Sequence, residues 1–284
     1  MRQFQSKALL IFAIFLFSFS NPALASGVLW IGAHPDDEIY VAPVLADLCV
    51  RQGMKCTLLV ITDGGKGHCL LPGGCLPTVA AVRAKEMANA ATYYRASLTM
   101  ANLEDSPAGS PDGVLWAWNN SIGGGTVLVD ALTAYIRTLN PDILLTFDPR
   151  HGSSCHLDHR AVGELALGAA TRAGIPLNSI YTPQNYWVNG LVSPMMAWAG
   201  NATIIPGDTA VKTMDASAQW LSISKNLSVH PSQFPKSWID AFTYTPVANQ
   251  IQSLLSVQDM NLNDTRYFNL CPFNDKYWPG QAPK

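Results

Sequence analysis

The six residues Val28-Leu29-Trp30-Ile31-Gly32-Ala33 form an uninterrupted apolar run, and they lead straight into His34-Pro35-Asp36-Asp37-Glu38. A short run that is apolar on every side suits a strand buried on both faces, as in a parallel sheet covered by helices. Helical spacing follows through Ile39, Val41, Val44, Leu45, Leu48 and Cys49 and stops at Gly53. The pattern then recurs. Residues 55–62 read as a second strand running into the glycine-rich loop 63–67, and residues 78–95 as a helix. Residues 97–103 suit a third strand, 127–139 a helix, 141–147 a strand, and 157–173 a helix closed by Gly174. Alternating strands and helices of this kind predict an α/β fold: a mostly parallel sheet with helices on both faces, in a single domain.

Two of the predicted strands end in clusters of metal-ligand side chains, although only 13% of the residues are charged. The first cluster is His34, Asp36, Asp37 and Glu38; the second is Asp148, His151, Cys155, His156, Asp158 and His159. In parallel α/β sheets, sites form outside the carboxyl ends of the strands, near a switch in strand order, so the two clusters are expected to converge. Two imidazoles and one carboxylate make a catalytic zinc set with one position left for water. Zinc brings that water's pKa to about 7, and a carboxylate that is not a ligand can take its proton. Residue chemistry alone does not choose between Asp36 and Asp37 as ligand, or between His156 and His159. Asp36, Asp37 and Glu38 also suit a helix start, where negative charge is favoured.

The rest of the chain sets the context. Residues 1–25 read as a signal peptide: Arg2 and Lys7, then an apolar stretch too short to span a membrane, then Ala23-Leu24-Ala25 as the cleavage site. The mature domain is then 26–284, secreted or periplasmic, and its formal charge moves from −2 to −4 because the leader carries only those two basic residues. Roughly 260 residues suffice for one large domain. No basic patch points to nucleic acid, and no later segment has the apolar length of a membrane span, so a small molecule or glycan is the expected partner.

Six cysteines in an exported chain allow up to three disulfides; Cys69–Cys75, bracketing a Pro-Gly-Gly turn, is the expected first pair, and Cys155–Cys271 a further one. Sequons occur at Asn119, Asn201, Asn226 and Asn263. Residues 104–125, rich in Pro, Gly, Asp and Asn, read as a long functional loop. Trp116, Trp118, Tyr186, Trp187 and Trp198 are candidates for stacking on sugar faces. Residues 180–181 and 202–205 suit short strands, and 215–227 a helix.

The motif Ala33-His34-Pro35-Asp36-Asp37-Glu38 resembles the signature of the PIG-L/LmbE family of N-acetylglucosaminyl deacetylases. Pro141-Asp142, then a strand, then His156-Leu157-Asp158-His159 resembles that family's second signature, with Leu157 where the family usually has proline. Arg83 with Glu86, and His230-Pro231-Ser232-Gln233, are similar to two further family elements. The resemblance implies a Rossmann-like fold and zinc-dependent removal of an N-acetyl group from an amino sugar. It implies His34, Asp37 and His159 as metal ligands, Asp36 as general base, and His156 as an imidazolium stabilising the oxyanion. It further implies Asp158 as the group orienting a histidine. Arg83 is a candidate for contacting substrate, with a salt bridge to Glu86 as the alternative. Zinc-dependent cleavage of a non-sugar amide, and sugar binding without catalysis, are the competing functions.

Overall fold

The strand expected at the first motif is present as β1, Gly27–Gly32. In the computed structural model, described over residues 27–150, 152, 156–183, 211–215, 221–237, 239–240 and 251–260, six further strands join it. They are β2 (Lys55–Thr62), β3 (Ser97–Leu103), β4 (Ile143–Thr146), β5 (Ile180–Pro183), β6 (Val211–Asp215) and β7 (Ile251–Ser256). Their order is β3-β2-β1-β4-β5-β7-β6. The first five are parallel, while β7 runs antiparallel to both β5 and β6. Chain progression reverses between β1 and β4, which makes the gap at their carboxyl ends the switch point where such sheets bind ligands.

The central strands carry the core. Leu29, Trp30 and Ile31 of β1, Leu58 to Ile61 of β2, and Leu144 and Leu145 of β4 are all at most 1% exposed. Burial on both faces is why these strands read as continuous apolar runs rather than alternating ones. Trp30, fully buried, meets Phe147 edge to face with ring centroids 5.3 Å apart.

Among the described residues the α-helices are α1 (Ala42–Leu45), α2 (Val79–Tyr93), α3 (Pro111–Ser121), α4 (Val127–Leu139), α5 (Leu157–Ala173) and α6 (Leu221–Val229). They form two packed groups, α1 and α2 with α6, and α3 and α4 with α5. Right-handed crossovers set such groups on opposite faces of a parallel sheet. Local caps fix the ends. Thr78 accepts from the Ala81 amide at 3.1 Å, and Asn140 and Gly174 take left-handed conformations after α4 and α5.

Several elements differ from expectation. The helical spacing after the first motif is realised as a 3-10 turn (Asp37–Val41), the single α-turn α1, and a π-helical stretch (Ala46–Arg51). That stretch is tied to β2 by the disulfide Cys49–Cys56, which the sequence reading did not single out. The expected Cys69–Cys75 bridge is present. Residues 104–125 are not one long loop, because α3 occupies their middle. Ser110 caps it by accepting from the Gly113 amide at 3.1 Å, with Pro111 at the first helical position. In place of a helix at 215–227 there is β6 ending at Asp215, then α6 from Leu221. The expected 202–205 strand, Tyr186, Trp187, Trp198, His151, the Cys155–Cys271 pair, the leader 1–25 and the sequons at Asn201 and Asn263 lie outside the described residues.

One glycine sets how closely α5 approaches the sheet. A Cβ on Gly163 would lie 2.5 Å from the Phe147 carbonyl oxygen and 2.9 Å from the Pro149 nitrogen, both backbone atoms with little room to yield. Gly163→Ala therefore pushes the start of α5 away from β4. A loss of about 1–3 kcal/mol is expected in denaturant unfolding, the usual cost of overpacking.

Candidate active site

Two strand ends build the site. After β1 the chain turns tightly, with the Asp36 and Asp37 amides both donating to the His34 carbonyl at 3.0 and 3.2 Å. β2 fixes the turn from the side, since the Thr62 amide and hydroxyl both donate to the Ala33 carbonyl at 2.8 Å. Asp37 folds back so that Oδ2 accepts from the amides of Ala33 (2.9 Å) and His34 (2.6 Å). Its Oδ1 then faces His159 Nε2 at 3.1 Å. His159 stands in the first turn of α5, its ring stacked 4.0 Å from Phe147 and its Nδ1 against the Gly152 carbonyl at 3.0 Å.

Protons can be assigned from these partners. A carbonyl only accepts, so His159 carries its proton on Nδ1 and leaves a lone pair on Nε2. Among the described residues, His34 Nε2 faces carboxylates, Asp158 Oδ2 at 3.1 Å and Asp105 Oδ1 at 3.4 Å, so it carries the proton and Nδ1 keeps a lone pair. His34 Nδ1 and His159 Nε2 lie 3.2 Å apart, and Asp37 Oδ2 is 3.4 Å from His34 Nδ1. In their neutral forms the two imidazoles thus aim lone pairs at each other beside a carboxylate, an arrangement that only a cation or an added proton reconciles. Tetrahedral zinc with bonds of about 2.0–2.1 Å separates its ligands by about 3.3 Å, which matches these spacings. The donor set therefore fits the metal.

Electrostatics agree with that shape. Burial lowers the His34 pKa, yet Asp37, Asp105 and Asp158 outweigh it and hold the ring well above its ordinary value. Burial raises Asp37, but His159 and His34 pull it well below the usual carboxylate range. The protein has prepared a place for positive charge.

The other expected residues gather around this cluster. Asp36 Oδ1 accepts from Arg83 Nη2 at 2.7 Å; burial raises its pKa, with Asp37 adding to the rise and Arg83 opposing it. Arg83 is 3% exposed and also donates to the carbonyls of Gly64 (Nη1, 2.9 Å) and Pro35 (Nη2, 3.3 Å), while its buried Nε has no partner among the described residues. It pairs with Asp36 rather than with Glu86, whose carboxylate instead accepts from Ser232. The His156 ring lies 4.7 Å from His34 and 4.8 Å from His159. Its Nδ1 accepts from the Asp158 amide at 3.2 Å. Burial first, then the neighbouring imidazoles, push its pKa down to about 3, so this resting site favours a neutral ring over the imidazolium. A neutral ring accepting at Nδ1 has its proton on Nε2 and remains a donor there.

Other candidates fall elsewhere. Asp148 is buried against Arg150, accepting from its Nε (2.9 Å) and Nη2 (2.6 Å). His68 is exposed in its loop. Trp118 is buried and donates to the Glu104 carbonyl at 2.8 Å, whereas Trp116 is 70% exposed. Asn226 is fully buried, so its sequon is closed to modification in the folded chain.

Sequence reading missed Asp105. It is 5% exposed, accepts from the Lys66 amide (2.9 Å) and the Ser106 hydroxyl (3.0 Å), and faces His34. Burial raises its pKa, but His34, Arg83 and Ser106 reverse that and lower it. The sequence shows Asp105 only as one of two acids, Glu104 and Asp105, that follow a predicted strand, with nothing local to link it to His34.

Fold and cluster together define a Rossmann-like α/β protein with a His/Asp centre shaped for a divalent cation at the sheet's switch point. Residues 29–170, half of the chain, match the family profile described as PIG-L: GlcNAc-PI de-N-acetylase. The chain belongs to this family.

Relatives at the sequence level include 1D-myo-inositol 2-acetamido-2-deoxy-alpha-D-glucopyranoside deacetylase 1 of Catenulispora acidiphila. It is 26% identical over 177 residues, which cover 55% of this chain and 52% of the relative. The probable N-acetyl-alpha-D-glucosaminyl L-malate deacetylase 2 of Bacillus cereus is 28% identical over 148 residues, covering 51% of this chain and 61% of the relative. The matches thus span about half of these curated relatives. Among solved structures, N,N'-diacetylchitobiose deacetylase from Pyrococcus horikoshii superposes with a TM-score of 0.54 at 19% identity. It covers 89% of this chain and 93% of that one, and the likeness bears on the fold.

Proposed function

We propose that this chain is an exported, zinc-dependent hydrolase that removes the acetyl group from an N-acetylglucosamine-type sugar. The observation that carries this reading is the convergence of His34 Nδ1, His159 Nε2 and Asp37 at 3.1–3.4 Å, with Asp36 one residue from Asp37. Membership of a family of de-N-acetylases and the names of the relatives support the substrate class.

His34, Asp37 and His159 would hold zinc, which supplies an acidified water and polarises the amide carbonyl. Asp36 would take a proton from the attacking water as the water oxygen bonds to the acetyl carbon. A carboxyl pKa raised by burial suits this work, because a base is most effective when its pKa approaches the working pH. Arg83 keeps Asp36 in place, and any contact it makes with substrate shares that guanidinium. The Nε2–H of His156 donates to the oxyanion, and developing negative charge there favours the imidazolium that the resting site disfavours. Asp158 and Asp105 hold His34 with its proton on Nε2, the outer contact that fixes a ligating histidine. The C–N bond then breaks to release acetate and a free amine, which takes up the proton carried by Asp36.

The test is acetate release by purified, zinc-loaded protein across N-acetyl sugars and peptide amides. Sugars are expected to be cleaved, chelation to abolish turnover, and zinc to restore it. Zinc bound stoichiometrically with no acetate from any N-acetyl sugar would overturn the reading. Preference for peptide amides would replace the substrate class. Export is checked by N-terminal sequencing of the secreted protein, expected to begin at Ser26.

A further inference from the structure

Residues 226–233 grip two acids that flank the site. Ser232 donates to both oxygens of Glu86, from its amide at 2.9 Å and its hydroxyl at 2.6 Å. Glu86 lies one helical turn after Arg83 on α2, and Arg83 holds Asp36 at 2.7 Å. At the other end, His230 Nε2 meets Glu38 Oε1 at 2.7 Å, and Asn226 Nδ2 donates to the same oxygen at 2.9 Å. Glu38 lies two residues after Asp36, on the turn that carries Asp37. Glu38, Asn226, His230 and Ser232 are all fully buried. The segment also reaches the rim loop: the Leu70 amide donates to the Ser232 carbonyl at 2.9 Å, and Gln233 Nε2 to the His68 carbonyl at 2.7 Å.

We propose that residues 226–233 act as a buckle, with Ser232 and His230 as positioning residues for the Asp36–Arg83 pair. The inference rests on the hydrolase reading above. Simple packing does not account for the pattern. Buried ionic and polar groups contribute little net stability compared with apolar packing of the same volume, and are better at fixing one geometry. Here both grips end near Asp36, one on the turn that carries it and one on the helix that carries Arg83, a single turn from that residue. A base displaced by a fraction of an ångström loses much of its effect.

The test uses the full zinc-loaded chain carrying Ser232→Ala or His230→Gln, in the wild-type and Asp36→Asn backgrounds. In the wild-type background, kcat is expected to fall about 10–100-fold with zinc content and KM little changed. In Asp36→Asn there is no base left to position, so the residual rate should not fall further. Hydrogen exchange should show lost protection in residues 33–41. Equal fractional losses in both backgrounds would make the role purely structural and overturn the proposal, as would an unchanged kcat. Should Ser232→Ala not fold, Glu86→Gln reads the same bond. If the wild type cleaves no N-acetyl sugar, the hydrolase reading fails; unchanged exchange protection in residues 33–41 then overturns the buckle separately.

Discussion

Asp36→Asn lowers kcat by about 10²–10⁴-fold while zinc stays bound, the range expected when a general base is removed. The amide still accepts from Arg83 Nη2 through its oxygen, so the turn is preserved. It cannot take a proton from water. Metal content measured on the same samples separates loss of the base from loss of the centre. The pH profile sharpens the test. A base works only when deprotonated, so wild-type kcat/KM should fall as pH drops through the Asp36 value, which burial raises from its ordinary position. That acid limb should vanish in the variant. A variant within about threefold of wild type would remove Asp36 from the base role.

The fold was legible where local signals and burial agreed. α4 and α5 begin and end where their spacing predicts, because Asn140 and Gly174 close them in left-handed conformations. β1 and β2 were visible as runs because central strands are buried on both faces. α3 was hidden by composition: Gly113, Asn119 and Asn120 weaken its helical pattern, although Ser110-Pro111 is a good start signal. The convergence of His34 with His159 could be anticipated from two ligand-rich strand ends, since a parallel sheet brings such ends to one edge. Asp105 could not, because its meeting with His34 depends on strand order: β3 lies on the far side of β2. Nor does spacing reveal which of two adjacent aspartates turns inward. That choice is made by the amides of Ala33 and His34, which capture Asp37 and leave Asp36 to Arg83. The buckle at 226–233 pairs residues more than 140 positions apart, beyond any local pattern.

Asp37→Ala is expected to cost the most, since one side chain serves both the backbone and the cation. Its removal leaves the buried amides of Ala33 and His34 without their acceptor, at about 1–3 kcal/mol for each such donor, and takes a ligand from the metal. The pH dependence of stability identifies the two roles. In metal-free protein the Asp37 pKa is lowered on folding, so its stabilisation is present above the unfolded value of 3.8 and fades as pH falls through the folded one. The His34 pKa is raised, so its stabilisation is present below 6.5 and is lost as pH rises through the folded value. Metal-free protein should therefore be most stable in mildly acidic solution. Zinc needs these same groups deprotonated, so the rise in Tm on adding zinc should grow from pH 5 to pH 8, values within about the range where histidine titrates. In Asp37→Ala the acid-side loss should shrink to the share that Asp105 still carries, and the zinc-induced rise should disappear. A zinc-induced rise that persists at wild-type size would remove Asp37 from the ligand set and leave it only its bonds to Ala33 and His34.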